Sequence, residues 1–443
     1  MLVQFTTENF LCFKDEATIS MVAAKRRSKD KALDAAATFD ASDELKLLKC
    51  AALYGANGSG KSSLFKAIHF MKKFVLDSSK ESQADEKIKV TPFRLSAEIQ
   101  NAPSRFEIIF VWKGYLYQYG FSADENSIHT ESLTRKSIAK GREESLFKRV
   151  HDRITVYKRF SEGEGLQNKT RKNALFLSAC ANFDGKISTE VVRWFRTVRV
   201  ISGLTDEGLF GYTSGKLGDA AWNGKIRNLL KDFDLGIERL EVGAPEANLF
   251  ADPDFPAALQ PLTEALGKLK ITPAKTVATY HRSFDGTGNI GGEVAFDLKR
   301  DESEGTKKLV SISAPLIDVL EKYYILIFDE FDARLHPIIT KNIIKLFNSS
   351  EINVNHAQLL VVTHDTNLLD RELMRRDQVW FTERDYYGAS HLTSLVEYKV
   401  RNDASYEKDY ITGKYGAIPI VGDIKRVFGP FTSEESPATQ ETD

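Results

Sequence analysis

A glycine-rich run, Gly55-Ala56-Asn57-Gly58-Ser59-Gly60-Lys61-Ser62, matches G-x-x-x-x-G-K-[ST] at every fixed position. The chemistry of this spacing is phosphate binding. Glycines let the backbone turn tightly and aim several N–H groups at one anion, and a following helix adds its positive end. Gly55, Asn57, Gly58, Ser59, Gly60 and Ser63 would line the phosphates. Lys61 would reach the β- and γ-phosphates, and the Ser62 hydroxyl would ligate Mg²⁺. A second run, Tyr324-Ile325-Leu326-Ile327-Phe328, ends in Asp329-Glu330. A strand ending in two carboxylates would set Asp329 beside Mg²⁺, usually through water, and leave Glu330 to polarise an attacking water. Apolar runs ending in acids are common, so this pair takes its meaning from the glycine loop. The expected ligands are ATP and Mg²⁺.

Two weaker stretches follow the same logic. Val361-Val362-Thr363-His364-Asp365 reads as a strand ending in a histidine. A lone histidine is more often structural, but one strand and one helix beyond Asp329-Glu330 it is placed to touch the γ-phosphate. Glu302-Ser303-Glu304-Gly305-Thr306 opens a helix some 25 residues before the acids. Ser303 and Gly305 at a helix N-terminus could cap an anion. Ser303 would serve equally well as a plain N-cap.

The elements that must position these residues are legible in part. Lys46 to Tyr54 is a short apolar run that suits a buried strand leading into the loop. From Ser62 to Leu76, apolar residues at 64, 65, 68, 70, 71 and 75 keep helical spacing. Residues 2–6 and 16–22 read as strands around Glu8-Asn9-Phe10, and 25–44 as loop or short helix. Arg105–Trp112 and Tyr115–Phe121 flank Lys113-Gly114 as a hairpin. Lys225–Leu235 and Thr306–Tyr323 read as helices, Gly291–Leu298 and Gln358–Thr363 as strands. Residues 151–290 show mixed helices and loops without a sustained heptad, which excludes long coiled-coil arms there. The Ser-, Thr-, Glu- and Pro-rich end, 430–443, reads as a disordered tail.

The 443 residues allow two or three lobes around a large core. Hydrophobic residues at 42% and charged residues at 28% fit a soluble globular chain. No apolar stretch is long enough for a membrane span, and Met1–Phe5 lacks the pattern of a signal peptide. Cys12, Cys50 and Cys180 fit neither a disulfide framework nor a zinc site and read as free thiols. These features point to the cytoplasm. A net charge of −1 gives no general attraction for nucleic acid. Basic clusters at Lys25-Arg26-Arg27 and Lys136 to Arg153 leave room for a local contact without indicating one.

The order of these motifs resembles that of ABC-type, SMC- and RecF-like ATPases: Walker A, signature, Walker B, D-loop and switch histidine. Phe331-Asp332-Ala333-Arg334-Leu335-His336-Pro337 resembles the D-loop, and Asn9-Phe10 with Phe13 resembles the opening of the class. No Q-loop glutamine is placed; Gln118 sits in a strand setting that does not match. More narrowly, Phe5–Phe10, Pro103–Glu107, Asn173–Ser178, Glu302–Thr306 and Gly413–Pro419 join the ATPase motifs in a resemblance to the RloA-like or AbiLi-like (AAA-15 type) ATPases of bacterial phage defence. The resemblance spans residues 1 to about 420.

It implies an α/β, ABC-type P-loop ATPase with an antiparallel β subdomain and a mainly helical insertion. The Walker A lobe with that subdomain would occupy 1–150, the insertion 151–290 and the lobe with the other motifs 291–429. It implies a head-to-tail dimer in which Ser303 and Gly305 cap ATP on a second copy, with higher oligomers open. It also implies a separate effector encoded next door and a phage-derived trigger. The alternative is a RecF- or SMC-like repair ATPase that clamps DNA. A fused TOPRIM nuclease is disfavoured, because the residues after Asn367 fall short of the roughly 100 such a domain needs.

Overall fold

A computed structural model describes residues 1–25, 31–80, 83, 86–139, 141–205, 207–243, 276–401 and 404–419. The expected tail 430–443 and the basic residues Arg26, Arg27 and Lys140 lie outside them.

The chain opens with β1 (Leu2–Glu8), β2 (Ala17–Ser20), α1 (Lys31–Ala37), β3 (Thr38–Asp40) and β4 (Lys46–Leu48). Then come β5 (Cys50–Gly55) and α2 (Lys61–Asp77), which bracket the glycine loop. A meander follows: β6 (Ser104–Trp112), β7 (Tyr115–Ala123), β8 (Ile128–Ser137), β9 (Glu144–Val150) and β10 (Arg153–Val156). Next are α3 (Phe176–Asn182), α4 (Lys186–Thr197), β11 (Val198–Ser202), α5 (Glu207–Leu217), α6 (Ala220–Asp232) and β12 (Ile237–Val242). The remainder is β13 (Val277–Phe284), β14 (Ile290–Asp297), α7 (Glu304–Glu321), β15 (Ile325–Asp329), α8 (Pro337–Asn348), β16 (Gln358–Val362), β17 (Val379–Arg384), β18 (Ser390–Ser394) and α9 (Tyr406–Ile411).

The central sheet has the order β11-β15-β16-β5-β17-β18. Its first five strands run parallel, and β18 pairs antiparallel with β17. The strands are buried on both faces, which is why β5, β15 and β16 read as unbroken apolar runs rather than as alternation. Ala51, Leu53, Ile325, Ile327, Leu360 and Val362 face one core, shared with α2, α4 and the antiparallel sheet. Ala52, Tyr54, Leu326, Phe328, Leu359 and Val361 face the other, filled by Leu309, Ile312 and Val319 of α7 and Ile343 and Phe347 of α8.

The second sheet, β10-β9-β8-β7-β6-β1-β2, is antiparallel. Lys113 (φ 46°) and Gly114 (φ 80°) make the turn that pairs Trp112 with Tyr115, as the primed hairpin geometry requires. α2 is clamped between the two sheets: Phe70 contacts Phe10 and Phe106, and Phe74 contacts Phe121. The expected fold class, a P-loop α/β core with an antiparallel β subdomain, is the one observed.

The described part of 151–290 holds α3 to α6 together with β10 to β13, and one of these strands belongs to the central sheet. β11 is the outer strand of the central sheet, with Val198–Ser202 in register with Ile325–Asp329. β12 and β13 leave the helices and pair with β14 as a three-stranded sheet. Helix bounds also shift toward their caps. Asp219 accepts from Trp222 N and starts α6 earlier than expected, and Ser303 accepts from Thr306 N and starts α7 at Glu304.

Candidate active site

In a parallel sheet the loops beyond the carboxyl ends of the strands share one edge. The Gly55–Ser62 loop follows β5, Asp329-Glu330 ends β15, and His364 follows β16, so the register of these strands gathers the three motifs at one place.

The loop has a fixed shape. Gly60 caps α2 at φ 109°, and a Cβ there would lie 2.6 Å from Ser390 Oγ and 2.7 Å from Cys12 Sγ, so only glycine fits. Ser59 Oγ lies 2.6 Å from Thr382 Oγ1 of β17, and Thr382 also donates to Tyr54 O. Ser390 Oγ is buried and has no hydrogen-bond partner among the described residues. Cys50 and Cys180 are buried free thiols as expected, whereas Cys12 is only half-buried.

Lys61 is 7% exposed. Its Nζ donates to Gly55 O at 2.8 Å and to Ala56 O at 3.0 Å, across its own loop. Burial lowers its pKa to about 8 against the opposing pull of Asp329, Asp332 and Glu330. Ser62 Oγ donates to Asp329 Oδ1 at 3.2 Å. Burial raises the Asp329 carboxyl above its ordinary range, against the Ser62 bond. Glu330 sits beside it at φ 51°, its pKa raised by burial and then by Asp329 and Asp332.

Asp332 locks the next strand end to this loop. Its Oδ1 accepts from Thr363 Oγ1 at 2.6 Å and from His364 N at 3.1 Å. The His364 imidazole is held below its ordinary pKa by partial desolvation and by Lys61, against Asp332 and Asp329. Lys61, Ser62, Asp329, Glu330 and His364 thus form one electrostatic cluster.

Ser303 and Gly305 do not join it. Ser303 Oγ is engaged as the N-cap of α7 and lies 2.9 Å from Thr306 Oγ1. Gly305 packs on Arg334 O, and Glu304 pairs with Arg334 at 3.2 Å. Among the described residues no hydrogen bond or ion pair links Ser303 or Gly305 to the phosphate loop of the same chain. Gln118 is exposed on β7, between Ile109 and Thr134, within the antiparallel sheet.

Several residues of the site carry no motif. Thr382 and Ser390 arrive from strands more than 300 residues beyond the loop, and nothing local in their sequence marks them. Glu302 is held from β13, by His281 Nε2 at 2.6 Å and by the Thr279 hydroxyl. Gly203 and Lys308 connect α7 to the acids.

A family model described as "AAA domain, putative AbiEii toxin, Type IV TA system" matches residues 50–370, more than half of the chain. The chain belongs to this family. Its match runs from the first residue of β5 to beyond His364 and so contains the whole cluster. No curated protein matches the chain. Among solved structures it is similar to the SMC head domain from Thermotoga maritima, at 13% identity and a TM-score of 0.40 over 89% of this chain and 98% of that one. It is also similar to the Smc head domain with an extended coiled coil bound to the C-terminal domain of ScpA from Pyrococcus furiosus. That match has 11% identity and a TM-score of 0.34 over 94% of this chain and 98% of the other.

An AAA domain works on ATP with a divalent metal, and the site fits both. Ser62 and Asp329 offer two hard oxygens to one point. Among the described residues no three His, Cys, Asp or Glu side chains form a metal cage. Mg²⁺ needs none, because it completes its octahedron with phosphate oxygens and water. Lys61 is a buried ammonium whose present acceptors are loop carbonyls that a phosphate can replace. Among the described residues no helix is long and apolar enough to cross a membrane.

Proposed function

We propose that this chain binds and hydrolyses Mg-ATP at one half of an ABC-type sandwich that a second copy completes. The observation that carries this reading is the division of the motifs. Lys61, Ser62, Asp329, Glu330 and His364 meet at one loop, while among the described residues no hydrogen bond or ion pair links Ser303 or Gly305 to that loop.

In this reading the Gly55–Ser63 backbone and Lys61 hold the phosphates, with Asn57 and Ser59 shaping the loop. Bound Mg²⁺, held by Ser62 and Asp329, supplies charge neutralisation at the β- and γ-phosphates. Glu330 accepts a proton from the attacking water; its raised pKa and its place beside Asp329 suit a base. His364, kept neutral by its surroundings, contacts the γ-phosphate and registers its loss. The N-terminus of α7 in the second copy, with its Ser303 and Gly305, closes over that same phosphate.

The biological role follows the family description and the narrower RloA-like or AbiLi-like resemblance. The chain is an antiviral, abortive-infection ATPase of the cytoplasm that answers a phage-derived trigger and controls a separate toxic or nucleolytic effector. The test is purification with the product of the adjoining gene, with and without Glu330→Gln. Co-purification without DNA supports effector control. ATP-dependent retention on DNA with no protein partner contradicts it and favours a repair clamp.

A further inference from the structure

Lys308 stands on α7 one turn beyond Ser303 and is fully buried. An ammonium in a core is costly unless its protons are satisfied, and an apolar side chain would fill the same space without that cost. Here Nζ donates to Gly203 O at 2.7 Å and lies 5.4 Å from the Phe328 ring. Gly203 immediately follows β11. Its N–H donates to Asp329 O at 2.7 Å. A Cβ on Gly203 would fall 1.9 Å from Glu330 O, so the Asp329-Glu330 backbone rests directly on this residue. Glu330 is held there in the left-handed region, at φ 51°, a backbone state its neighbours must impose.

A hydrogen-bonded path therefore runs from the N-terminal turn of α7, through Lys308 and Gly203, to the backbone that aims the two carboxylates. The two ends of the path belong to different nucleotides if α7 caps the ATP of a second copy. We propose that Lys308 is a positioning residue that couples closure of α7 on the partner's nucleotide to the placement of Asp329 and Glu330 at the chain's own nucleotide. This rests on the sandwich proposed above. It makes the two ATP sites of a dimer interdependent through the interior of each chain. Two sites, an open and a closed arrangement, and a contact both share are what such coupling requires.

The experiment compares the full-length wild type with Lys308→Met, reading binding of a fluorescent ATP analogue, ATP turnover and ATP-dependent dimerisation. The wild type turns over ATP cooperatively. Lys308→Met binds the analogue and dimerises as wild type does, but its turnover number falls on the order of tenfold and its cooperativity is lost. Lys308→Arg, which keeps a donor for Gly203 O, restores part of the lost turnover and cooperativity. Wild-type turnover and cooperativity in Lys308→Met would overturn the coupling and leave the sandwich standing. A Lys308→Met chain that unfolds or loses nucleotide assigns Lys308 to the core alone and overturns the coupling. A wild type that binds ATP yet hydrolyses it as a strict monomer overturns the sandwich and the coupling with it.

Discussion

Lys61 spends its two observed hydrogen bonds on carbonyls of its own loop, and Ser62 spends its hydroxyl on Asp329. Both sets of bonds are replaceable by phosphate and metal. Lys61→Ala is therefore expected to abolish nucleotide binding with little change in folding, checked by isothermal titration and by a thermal melt. Glu330→Gln preserves shape and removes the base. Its turnover number should fall by about 10²–10⁴-fold while Mg-ATP binding survives, as read by steady-state kinetics beside direct titration. Thr382→Val keeps the volume on β17 but takes away the hydroxyl facing Ser59 Oγ and Tyr54 O. The expected result is a loss of about 1 kcal/mol in denaturant unfolding and weaker nucleotide binding through a loosened loop.

At the scale of elements, the phosphate loop, the acids and His364 each lie where a parallel strand ends, so their chemistry is only as firm as the clamp on those strands. That clamp is aromatic. Trp194 of α4 is fully buried and stacks on Phe110 of β6 with ring centroids 3.9 Å apart, tying the helix before β11 to the antiparallel sheet. Trp194→Ala should lower stability by about 3–5 kcal/mol in denaturant unfolding. The strands that carry motifs were legible because they are continuous apolar runs bounded by glycine or acids. So was the Lys113-Gly114 hairpin, whose turn chemistry is local. β11 was not, because Val198–Ser202 is five residues long and finds its partner β15 more than 120 residues away. Nor was the brace from Thr382 and Ser390, since two hydroxyls in a C-terminal hairpin have no pattern that points to a loop near residue 60. Local sequence encodes periodicity and turns; it does not encode which distant strand lies next to which.

For the whole molecule, the decisive fact is that among the described residues no hydrogen bond or ion pair ties the N-terminus of α7 to the phosphate loop. Ser303 and Gly305 are marked only by their order in the sequence. In the proposed sandwich a second copy completes the site, and ATP acts as the bridge between copies. The measurement that tests this most directly mixes two inactive variants, Lys61→Ala and Ser303→Arg, and follows ATP hydrolysis. In the mixed pair the intact loop of the Ser303→Arg chain faces the intact Ser303 of the Lys61→Ala chain, so one working site re-forms and turnover returns on mixing, lowered on the order of tenfold because α7 of the Ser303→Arg chain has no nucleotide to close on. If each variant is inactive alone and the mixture stays inactive while the Ser303→Arg chain still binds Mg-ATP, the two motifs do not meet across copies, and the account fails at its centre.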